Sequence, residues 1–421
     1  MKIPRMRWII AAMLFLATAL NYADRQALAI VSPTIRSQFG MTEIDYSRIV
    51  AGFFLAYAIM YAGSGYVVDR LGTKRGFGLF ITVWSFAAVL HAAARSVLGF
   101  GACRFLLGLG EPGNWPAATK AVQEWFAPKY RALGVGIFNS GSSLGSALAP
   151  PIVAFLTIRY GWQFAFIAVG AAGFAWLALW MLLYDPPGQN RWLRENERAQ
   201  IVSELGPLTE PGPATPKSVN WGRVIRTRES IAVTLARTLT DPVMYFVIFW
   251  LPEYLEKERH FDLAMVGKYA WVPFVFGGFA YTCGGWFSAW LIGRGWRLPR
   301  ARKTVMAIGA LCLPVAIAAP RVPSAALAIA ATCFLTFGHG FWTANLQALP
   351  ADLFPGHEVG SVSGFSGMGG ALAGMFANLG TGYIVQHFSY APVFLAAGLM
   401  HPIGMLIIWR MLPDSRFQRS E

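Results

Sequence analysis

Residues 65–75 read GYVVDRLGTKR and lie at the junction of two apolar runs, 45–68 and 76–94. Each run is long enough to cross a bilayer as a helix, since about 20 apolar residues span the hydrocarbon core. The two glycines of the stretch permit close helix packing and a sharp turn. The pattern predicts a loop between two membrane-spanning helices, in which Asp69 can accept hydrogen bonds from a helix N-terminus or from basic residues.

The composition indicates that lipid surrounds most of the chain. Of its 421 residues, 55% are hydrophobic and 13% are charged, whereas soluble domains carry about a quarter charged residues. Apolar runs of spanning length recur from end to end. Twelve are found, near 8–32, 45–68, 76–94, 98–122, 132–157, 162–184, 230–255, 267–293, 302–320, 323–349, 358–386 and 390–412. The sequence therefore predicts an all-α membrane protein with twelve transmembrane helices.

The net charge of +14 arises from basic residues that cluster in alternate connections between these runs. They are Lys2, Arg5, Arg7, Arg70, Lys74, Arg75, Lys129, Arg131, those of segment 185–229, Arg294, Arg297, Arg300, Arg302, Lys303, Arg410, Arg416 and Arg419. The other connections hold scattered single basic residues and a mixed-sign group at 256–259. By the positive-inside rule, the basic loops and both termini are cytoplasmic. Because topology explains the surplus charge, no nucleic-acid partner is predicted.

One long polar stretch divides the chain. Segment 185–229 is rich in proline and charged residues and separates six predicted spans from six. We therefore predict a six-helix bundle over 1–184, a cytoplasmic linker over 185–229 and a second six-helix bundle over 230–421. One amphipathic helix is predicted within the linker, near 194–204. Residues 136–170 align without a gap on 364–398, although chance similarity between glycine- and alanine-rich helices offers another explanation. Two six-helix repeats predict a binding site between them near the bilayer midplane.

The loop at 65–75 resembles the motif G-x-x-x-D-R-x-G-x-[RK]-[RK], which marks the connection of helices 2 and 3 in the major facilitator superfamily. Its residues here are Gly65, Asp69, Arg70, Gly72, Lys74 and Arg75. The resemblance extends through the twelve-span pattern over essentially the whole chain. It implies that these six residues latch the outward-facing state, although a plain positive-inside loop would show the same charges. The corresponding position of the second half is Ala289, which predicts an asymmetric latch.

Three further stretches narrow the resemblance. NYADR at 21–25, CRFLLGLGEPGNWPAATKAVQEWF at 103–126 and RTLTDPVMYFVIFWLPEYL at 237–255 resemble the anion:cation symporters, and most closely the bacterial hexuronate transporters among them. Aldonate and aldarate carriers share the first two stretches. The finer assignment therefore depends on the third.

Four charged residues in predicted spans are the candidates for coupled transport. Asp24 and Arg25 are about 100° apart around one helix, whereas Arg104 and Glu111 lie two turns apart on one face. A charge in the membrane interior is retained where it faces a cavity or a partner. We predict that Arg25 binds the substrate carboxylate, and that Asp24 and Glu111 exchange protons under the influence of Arg104. The alternative is a set of structural ion pairs.

Several polar side chains are weaker candidates. Tyr22, Tyr57 and Tyr61 can donate to sugar hydroxyls, and Tyr57 matches a substrate-contact position of the related aldonate carriers. Arg237 can bind substrate or extend to the cytoplasm, and Asp241-Pro242 is predicted to interrupt its helix. In the second half, the candidates for a polyol site are Trp342, Asn345, Gln347, Ser366 and Asn378. The same residue types also serve helix packing, as we expect of His339.

Together these features predict a proton-coupled symporter of the bacterial inner membrane that imports a sugar-acid anion, most like a hexuronate, by alternating access. Aldonates, aldarates and aromatic acids remain open as substrates, as do antiport and uniport. A transport-like sensor is disfavoured because the C-terminus is too short for an output module, and an enzyme because no catalytic motif is present. No cofactor or metal is predicted, and a monomer is expected.

Overall fold

In a computed structural model of the protein, the structure describes residues 5–41, 43–205, 219, 221–261, 265, 268–415 and 417. The regular elements among these residues are helices: α1 (Met6–Phe39), α2 (Glu43–Leu71), α3 (Thr73–His91), α4 (Val97–Gly110), α5 (Asn114–Trp125), α6 (Arg131–Tyr160), α7 (Trp162–Leu183), α8 (Glu195–Leu205), α9 (Trp221–Arg226), α10 (Arg228–Arg259), α11 (Val272–Gly293), α12 (Leu298–Cys312), α13 (Ala325–Leu346), α14 (Leu349–Leu353), α15 (Val359–His387) and α16 (Ala391–Met411). Short 3-10 turns follow α4 (Glu111–Gly113), precede α6 (Pro128–Tyr130) and follow α12 (Leu313–Ala318).

The predicted all-α membrane fold is confirmed. Among the described residues, every predicted span overlaps a long helix, a helix pair (α4 with α5, α13 with α14) or, for 302–320, the 15-residue α12 and the 3-10 turn after it. Eight helical segments among the described residues are long and apolar enough to cross a membrane. The other four spans are α3, α4 with α5, α11 and α15, whose glycine, serine, tryptophan or charged residues lower their mean hydropathy.

The chain folds into two compact units. The first contains Met1–Ala127, Gly141–Asn220 and Pro355–Met368, and the second contains Pro128–Ser140, Trp221–Phe354 and Gly369–Glu421. Each unit therefore consists mostly of one predicted half, with the beginning of one helix from the other half added to it. Helix α15 begins in the first unit, and α6 begins in the second. The three-part division at 1–184, 185–229 and 230–421 stays a prediction.

In the first unit, α2 packs on α4, and α3 and α1 pack on α7. Aromatic rings pack between α3 and α7: Trp176 and Trp180 of α7 stack with centroids 5.1 Å apart, and Phe77 of α3 meets Trp180 edge to face at 5.1 Å. The second unit is built in the same way. In it α11 and α12 pack on α13, and α10 packs on α16, with Phe246 and Tyr254 of α10 against Phe394.

Glycine contacts of the same kind recur at aligned positions of the two repeats. In the first unit, a methyl group on Gly65 of α2 would overlap the carbonyl oxygen of Gly360 at the start of α15. In the second unit, a methyl group on Gly285 of α11 would overlap the carbonyl oxygen of Ala132 at the start of α6. Only glycine allows backbones to approach this closely. We call these two contacts the first and second crossing.

Two local features differ from the simplest sequence expectation. The fourth span is not one regular helix, because Pro112 and Gly113 form a 3-10 turn between α4 and α5, so Glu111 lies at the turn. The predicted interruption of the seventh span at Asp241-Pro242 is wrong, since α10 continues through Pro242 and Pro252. Neighbouring helices and threonine side chains allow proline inside membrane helices. Thr240 Oγ1 donates to the Ala236 carbonyl at 2.8 Å in this turn.

The predicted linker contains the predicted amphipathic helix, which is α8. Its buried residues are Ile201 and Leu205. Its acidic side chains hold the beginning of α1: Arg7 Nη2 donates to Glu204 Oε2 at 2.6 Å, and the Arg5 amide donates to Glu197 Oε2 at 3.0 Å. The part of the linker at 206–218 and 220 lies outside the described residues.

Candidate functional site

The centre of the first unit contains an ion pair between α1 and the turn after α4. Arg25 Nε donates to Glu111 Oε2 at 2.5 Å. The Glu111 side chain is fully buried, whereas 18% of the Arg25 side chain is exposed. The carboxylate is therefore held inside the protein, while part of the Arg25 side chain is exposed.

Aromatic rings surround this guanidinium. The Arg25 Cζ atom lies 4.6 Å from the ring centroid of Tyr57 and 5.1 Å from that of Tyr22. Trp115 Nε1 donates to the Tyr57 hydroxyl at 2.9 Å, and Tyr61 meets Tyr57 edge to face at 5.4 Å. A guanidinium over aromatic faces gains cation–π attraction. The rings thus help to hold the Arg25 guanidinium in place.

Asp24 and Arg104 are buried next to this pair. Asp24 is 3% exposed and Arg104 is 4% exposed. Asp24 interacts electrostatically with Glu111, Arg104 and Arg25. Among the residues that the structure describes, Arg104 Nε and Nη2 have no hydrogen-bond partner. Four charges inside one helical unit, with guanidinium donors left unsatisfied, form a cluster that can respond to an added anion or proton.

Asp69 caps the first turn of α15 within the first unit. Its Oδ1 accepts from the Gly360 amide at 3.1 Å, and its Oδ2 accepts from the Ser361 amide at 2.6 Å. Lys120 Nζ of α5 donates to Oδ1 at 2.8 Å. The amides at a helix N-terminus favour a negative charge. This arrangement joins α2 to α15 next to the first crossing, because Asp69 follows Gly65 by about one helical turn and both residues contact Gly360.

The other loop residues of 65–75 have different surroundings. Lys74 pairs with Asp185 at 2.8 Å, Arg70 Nη1 donates to the Tyr66 hydroxyl at 3.4 Å, and Arg75 is exposed. Gly72 has φ 79°, a conformation that favours glycine at the turn into α3. The loop therefore contains one buried anchor, Asp69, and several peripheral contacts.

Lys120 and Glu124 of α5 were missed by sequence reasoning. Glu124 Oε1 accepts from Thr73 Oγ1 at 2.6 Å, and its Oε2 accepts from the Tyr184 hydroxyl. Their position in the sequence could have indicated this role. Two charged residues that lie four apart at the end of a predicted span can face the helix bundle instead of solvent.

A second buried charge cluster lies at the second crossing and was also missed. Asp352 of α14 accepts from Arg302 Nε at 2.9 Å and from Arg131 Nη1 at 3.3 Å. Arg302 Nη1 donates to Ser288 Oγ at 2.8 Å, and its Nη2 donates to the Pro128 carbonyl at 2.7 Å. All of these residues belong to the second unit. The cluster thus fastens the start of α6, where Ala289 provides no carboxylate.

In the second unit, Arg237 pairs with Asp241 one turn along α10. Its Nε and Nη2 atoms both lie 3.0 Å from Asp241 Oδ2. Gly370 leaves space for this carboxylate, because a methyl group there would overlap Asp241 Oδ2. Asp241 is therefore a charge partner of Arg237 and does not mark a helix break.

The remaining candidates of the second half are packed in this conformation. Trp342, Asn345 and Ser366 are fully buried. Trp342 Nε1 donates to Thr240 Oγ1 at 3.0 Å, and Asn345 Nδ2 donates to the Phe341 carbonyl at 3.0 Å. Asn378 is half-buried and accepts from Trp250 Nε1 at 3.0 Å. Substrate binding by these residues stays a prediction.

His339 and Gln347 also contact neighbouring side chains. His339 Nδ1 lies 3.1 Å from His401 Nε2, and Thr343 Oγ1 lies 3.1 Å from His339 Nε2. Gln347 Oε1 accepts from Asn139 Nδ2 at 2.9 Å. These contacts agree with the packing role expected of His339.

Twelve spans in repeated six-helix sets, a charged centre and glycine-mediated crossings define a secondary transporter. The chain belongs to the Major Facilitator Superfamily, whose profile matches residues 14–378 and, in a second match, 301–421. It is 32% identical over 419 residues to the hexuronate transporter of Escherichia coli (strain K12), covering 98% of this chain and 95% of that protein. It is 33% identical over 314 residues to the galacturonate transporter of Dickeya chrysanthemi, covering 74% and 90% of the two chains.

The fold also matches a solved structure. A proton:xylose symporter bound to 6-bromo-6-deoxy-D-glucose superimposes with a TM-score of 0.75 at 15% sequence identity, covering 97% of this chain and 96% of that one. The similarity shows the shared architecture. Together with the family match, it shows that the protein is a multi-pass membrane transporter.

Proposed function

We propose that this protein is a proton-coupled symporter that imports a hexuronate anion across the bacterial inner membrane. The observation that carries the proposal is the partly exposed Arg25, which lies among tyrosine rings and is paired with the fully buried Glu111. The relatives named for hexuronate and galacturonate transport support the substrate class. The basic loops support a topology with both termini in the cytoplasm, and no second copy is required.

In the proposed mechanism, the substrate carboxylate competes with Glu111 for Arg25. When Glu111 is protonated, it no longer attracts the guanidinium as a carboxylate does, so Arg25 can bind the substrate carboxylate through its paired donors. When the substrate leaves, Arg25 again favours ionised Glu111 and promotes release of the proton. The competition thus links proton uptake to anion binding.

Asp24 is the second proposed proton site, and Arg104 its counter-charge. Burial makes an isolated charge at either residue costly, so the four-residue cluster favours states in which its charges balance. A bound proton and a bound substrate anion bring one positive and one negative charge together. This balance provides a reason for the two to move together.

The proposed latch is Asp69, which holds the first turn of α15 through two amides. Its role is to stabilise the outward-facing state until the loaded protein changes conformation. Arg131, Arg302 and Asp352 are the proposed counterpart at the second crossing. The latch is asymmetric in its chemistry, as the alanine at position 289 indicates.

Uptake into proteoliposomes tests this function. A pH gradient, acid outside, should drive accumulation of glucuronate or galacturonate above the external concentration, and a protonophore should abolish it. The panel should include aldonates, aldarates, aromatic acids and a neutral polyol. Preferred uptake of an aldarate or aromatic acid would replace the hexuronate assignment, and uptake unaffected by the pH gradient would refute proton symport.

A further inference from the structure

The second unit contains an open cavity of about 620 Å³ at the junction of α9, α10 and α16. Three arginines line it: Arg226 at the end of α9, Arg228 at the start of α10 and Arg410 in the last turn of α16. All three are exposed. This concentration of positive charge takes no part in the transport mechanism proposed above.

The wall of the cavity is apolar. It includes Ile231 of α10 and Leu406 and Met411 of α16. Leu406 is 62% exposed, and the neighbouring Trp409 is 55% exposed. Exposed tryptophan and leucine at the end of a spanning helix are typical of the boundary between headgroups and acyl chains. The cavity therefore combines an anion-binding rim with a surface suited to hydrocarbon.

A hydrogen bond fixes the rim. Arg228 Nη2 donates to the Arg410 carbonyl oxygen at 2.5 Å. This bond joins the beginning of α10 to the end of α16 and holds the two arginines at one edge of the cavity. The guanidinium groups can then bind a phosphate through paired donors.

We propose that this cavity binds an anionic phospholipid, with its phosphate among the three arginines and an acyl chain along Ile231, Leu406 and Met411. The charge favours an anionic over a zwitterionic headgroup, because basic pockets between transmembrane helices recognise anionic lipids. The apolar wall favours a lipid over free phosphate, which would gain nothing from it. In the proposed topology, in which the basic loops are cytoplasmic, this lipid belongs to the cytoplasmic leaflet.

The test is native mass spectrometry of the full chain released from nanodiscs of phosphatidylcholine with phosphatidylglycerol. The test variant is Arg226→Gln/Arg410→Gln, which leaves Arg228 in place. The control is Arg297→Gln/Arg300→Gln, which removes the same charge from two exposed arginines before and within the first turn of α12. Thermal midpoints and size-exclusion profiles verify folding.

Wild type should retain phosphatidylglycerol preferentially over phosphatidylcholine. The test variant should reduce this preference by about 25-fold, since each basic residue near an anionic lipid contributes about fivefold, whereas the control should retain it. If the double variant does not fold, Arg226→Gln alone should give about a fivefold loss. Leu406→Asn should weaken retention of the lipid while leaving its headgroup preference unchanged.

Three outcomes would overturn the proposal. Equal losses in test and control variants would indicate diffuse attraction to the positive surface. An unchanged preference in the test variant would place the lipid elsewhere. Displacement of the bound lipid by inorganic phosphate, with equal affinity for the free ion, would identify an ordinary phosphate site.

Discussion

Glu111 Oε2 lies 2.5 Å from Arg25 Nε, so a carboxylate of the protein occupies the donor that we assign to the substrate. A substrate carboxylate must displace Glu111 to form the side-on paired contact, which uses the Nε donor of this guanidinium. The relationship makes anion binding and the protonation state of Glu111 parts of one equilibrium. It also makes each residue testable by a substitution that preserves its size.

Arg25→Lys should weaken hexuronate binding although the charge is kept. An ammonium cannot form the two parallel hydrogen bonds of a guanidinium, and a desolvated pair of this kind is worth about 2–5 kcal/mol. Binding of glucuronate to the purified protein measures the change. A neutral polyol of similar size is the control ligand, and equal affinity for the polyol and the acid in wild type would rule out Arg25 as an anion site.

Asp24→Asn should abolish accumulation driven by a pH gradient and leave exchange of internal for external substrate largely intact. The amide mimics the protonated acid, so the loaded protein can change conformation but cannot release the coupling proton. If Asp24 is only structural, the variant leaves a buried arginine without its partner at a cost of about 3–5 kcal/mol. Folding, exchange and accumulation would then fail together, so both activities are measured on one preparation.

Glu111→Gln separates one-proton from two-proton coupling. If both acids carry protons, this variant should also exchange substrate without accumulating it. If Asp24 alone carries the proton, accumulation should remain close to wild type, and this result would exclude Glu111 from the proposed competition for Arg25. Current measured in proteoliposomes during uptake gives the charge moved per substrate, and a ratio that does not change with either substitution would contradict both forms of the mechanism.

Asp69→Asn should lower the turnover rate by about tenfold with little change in substrate affinity. The amide loses charge-assisted hydrogen bonds to the Gly360 and Ser361 amides and to Lys120, each worth about 1.5–3 kcal/mol. Stopped-flow transport and equilibrium binding measure the two quantities. Asp45→Asn, near the other end of α2, is the matched control and should change neither.

Gly65→Ala and Gly285→Ala should each destabilise their crossing, because the methyl group overlaps a backbone carbonyl that cannot rotate away. Gly52→Ala in the same helix as Gly65 is the control, since a methyl group there meets no atom within 4 Å. In a helix this replacement alone stabilises by up to about 1 kcal/mol. Thermal midpoints should therefore fall for the two crossing variants and hold or rise for Gly52→Ala.

The sequence predicted the spans, the repeat and the Asp69 loop because each depends on local pattern. Hydropathy reports the length of each helix in lipid, and the spacing of Gly65 and Asp69 along the chain does not depend on how the helices pack. The partners of the buried charged residues could not be predicted in this way. Arg25 pairs with Glu111 across two helices, and Asp352 meets Arg302 from a separate span. Such pairs depend on how helices dock, which a single sequence does not specify.

At Asp241-Pro242, a local sequence pattern gave a wrong prediction. A proline in a span predicts a broken helix when only backbone donors are counted, but here the helix continues and the aspartate serves as partner to Arg237. Membrane helices tolerate the missing donor when neighbours satisfy the freed groups. The rule that proline breaks a helix holds for a helix in water, but it does not take account of neighbouring helices in a packed bundle.

The two crossings share their glycines but not their charges. At the first, an aspartate accepts from main-chain amides; at the second, two arginines converge on Asp352. A glycine in contact with a carbonyl has no substitute, whereas an ion pair can be rebuilt from other residues on adjacent helices. The glycine positions should therefore change little during evolution. The charged residues that hold each crossing can be replaced by other charged residues on adjacent helices. Related transporters can then differ in rate while they keep the same architecture.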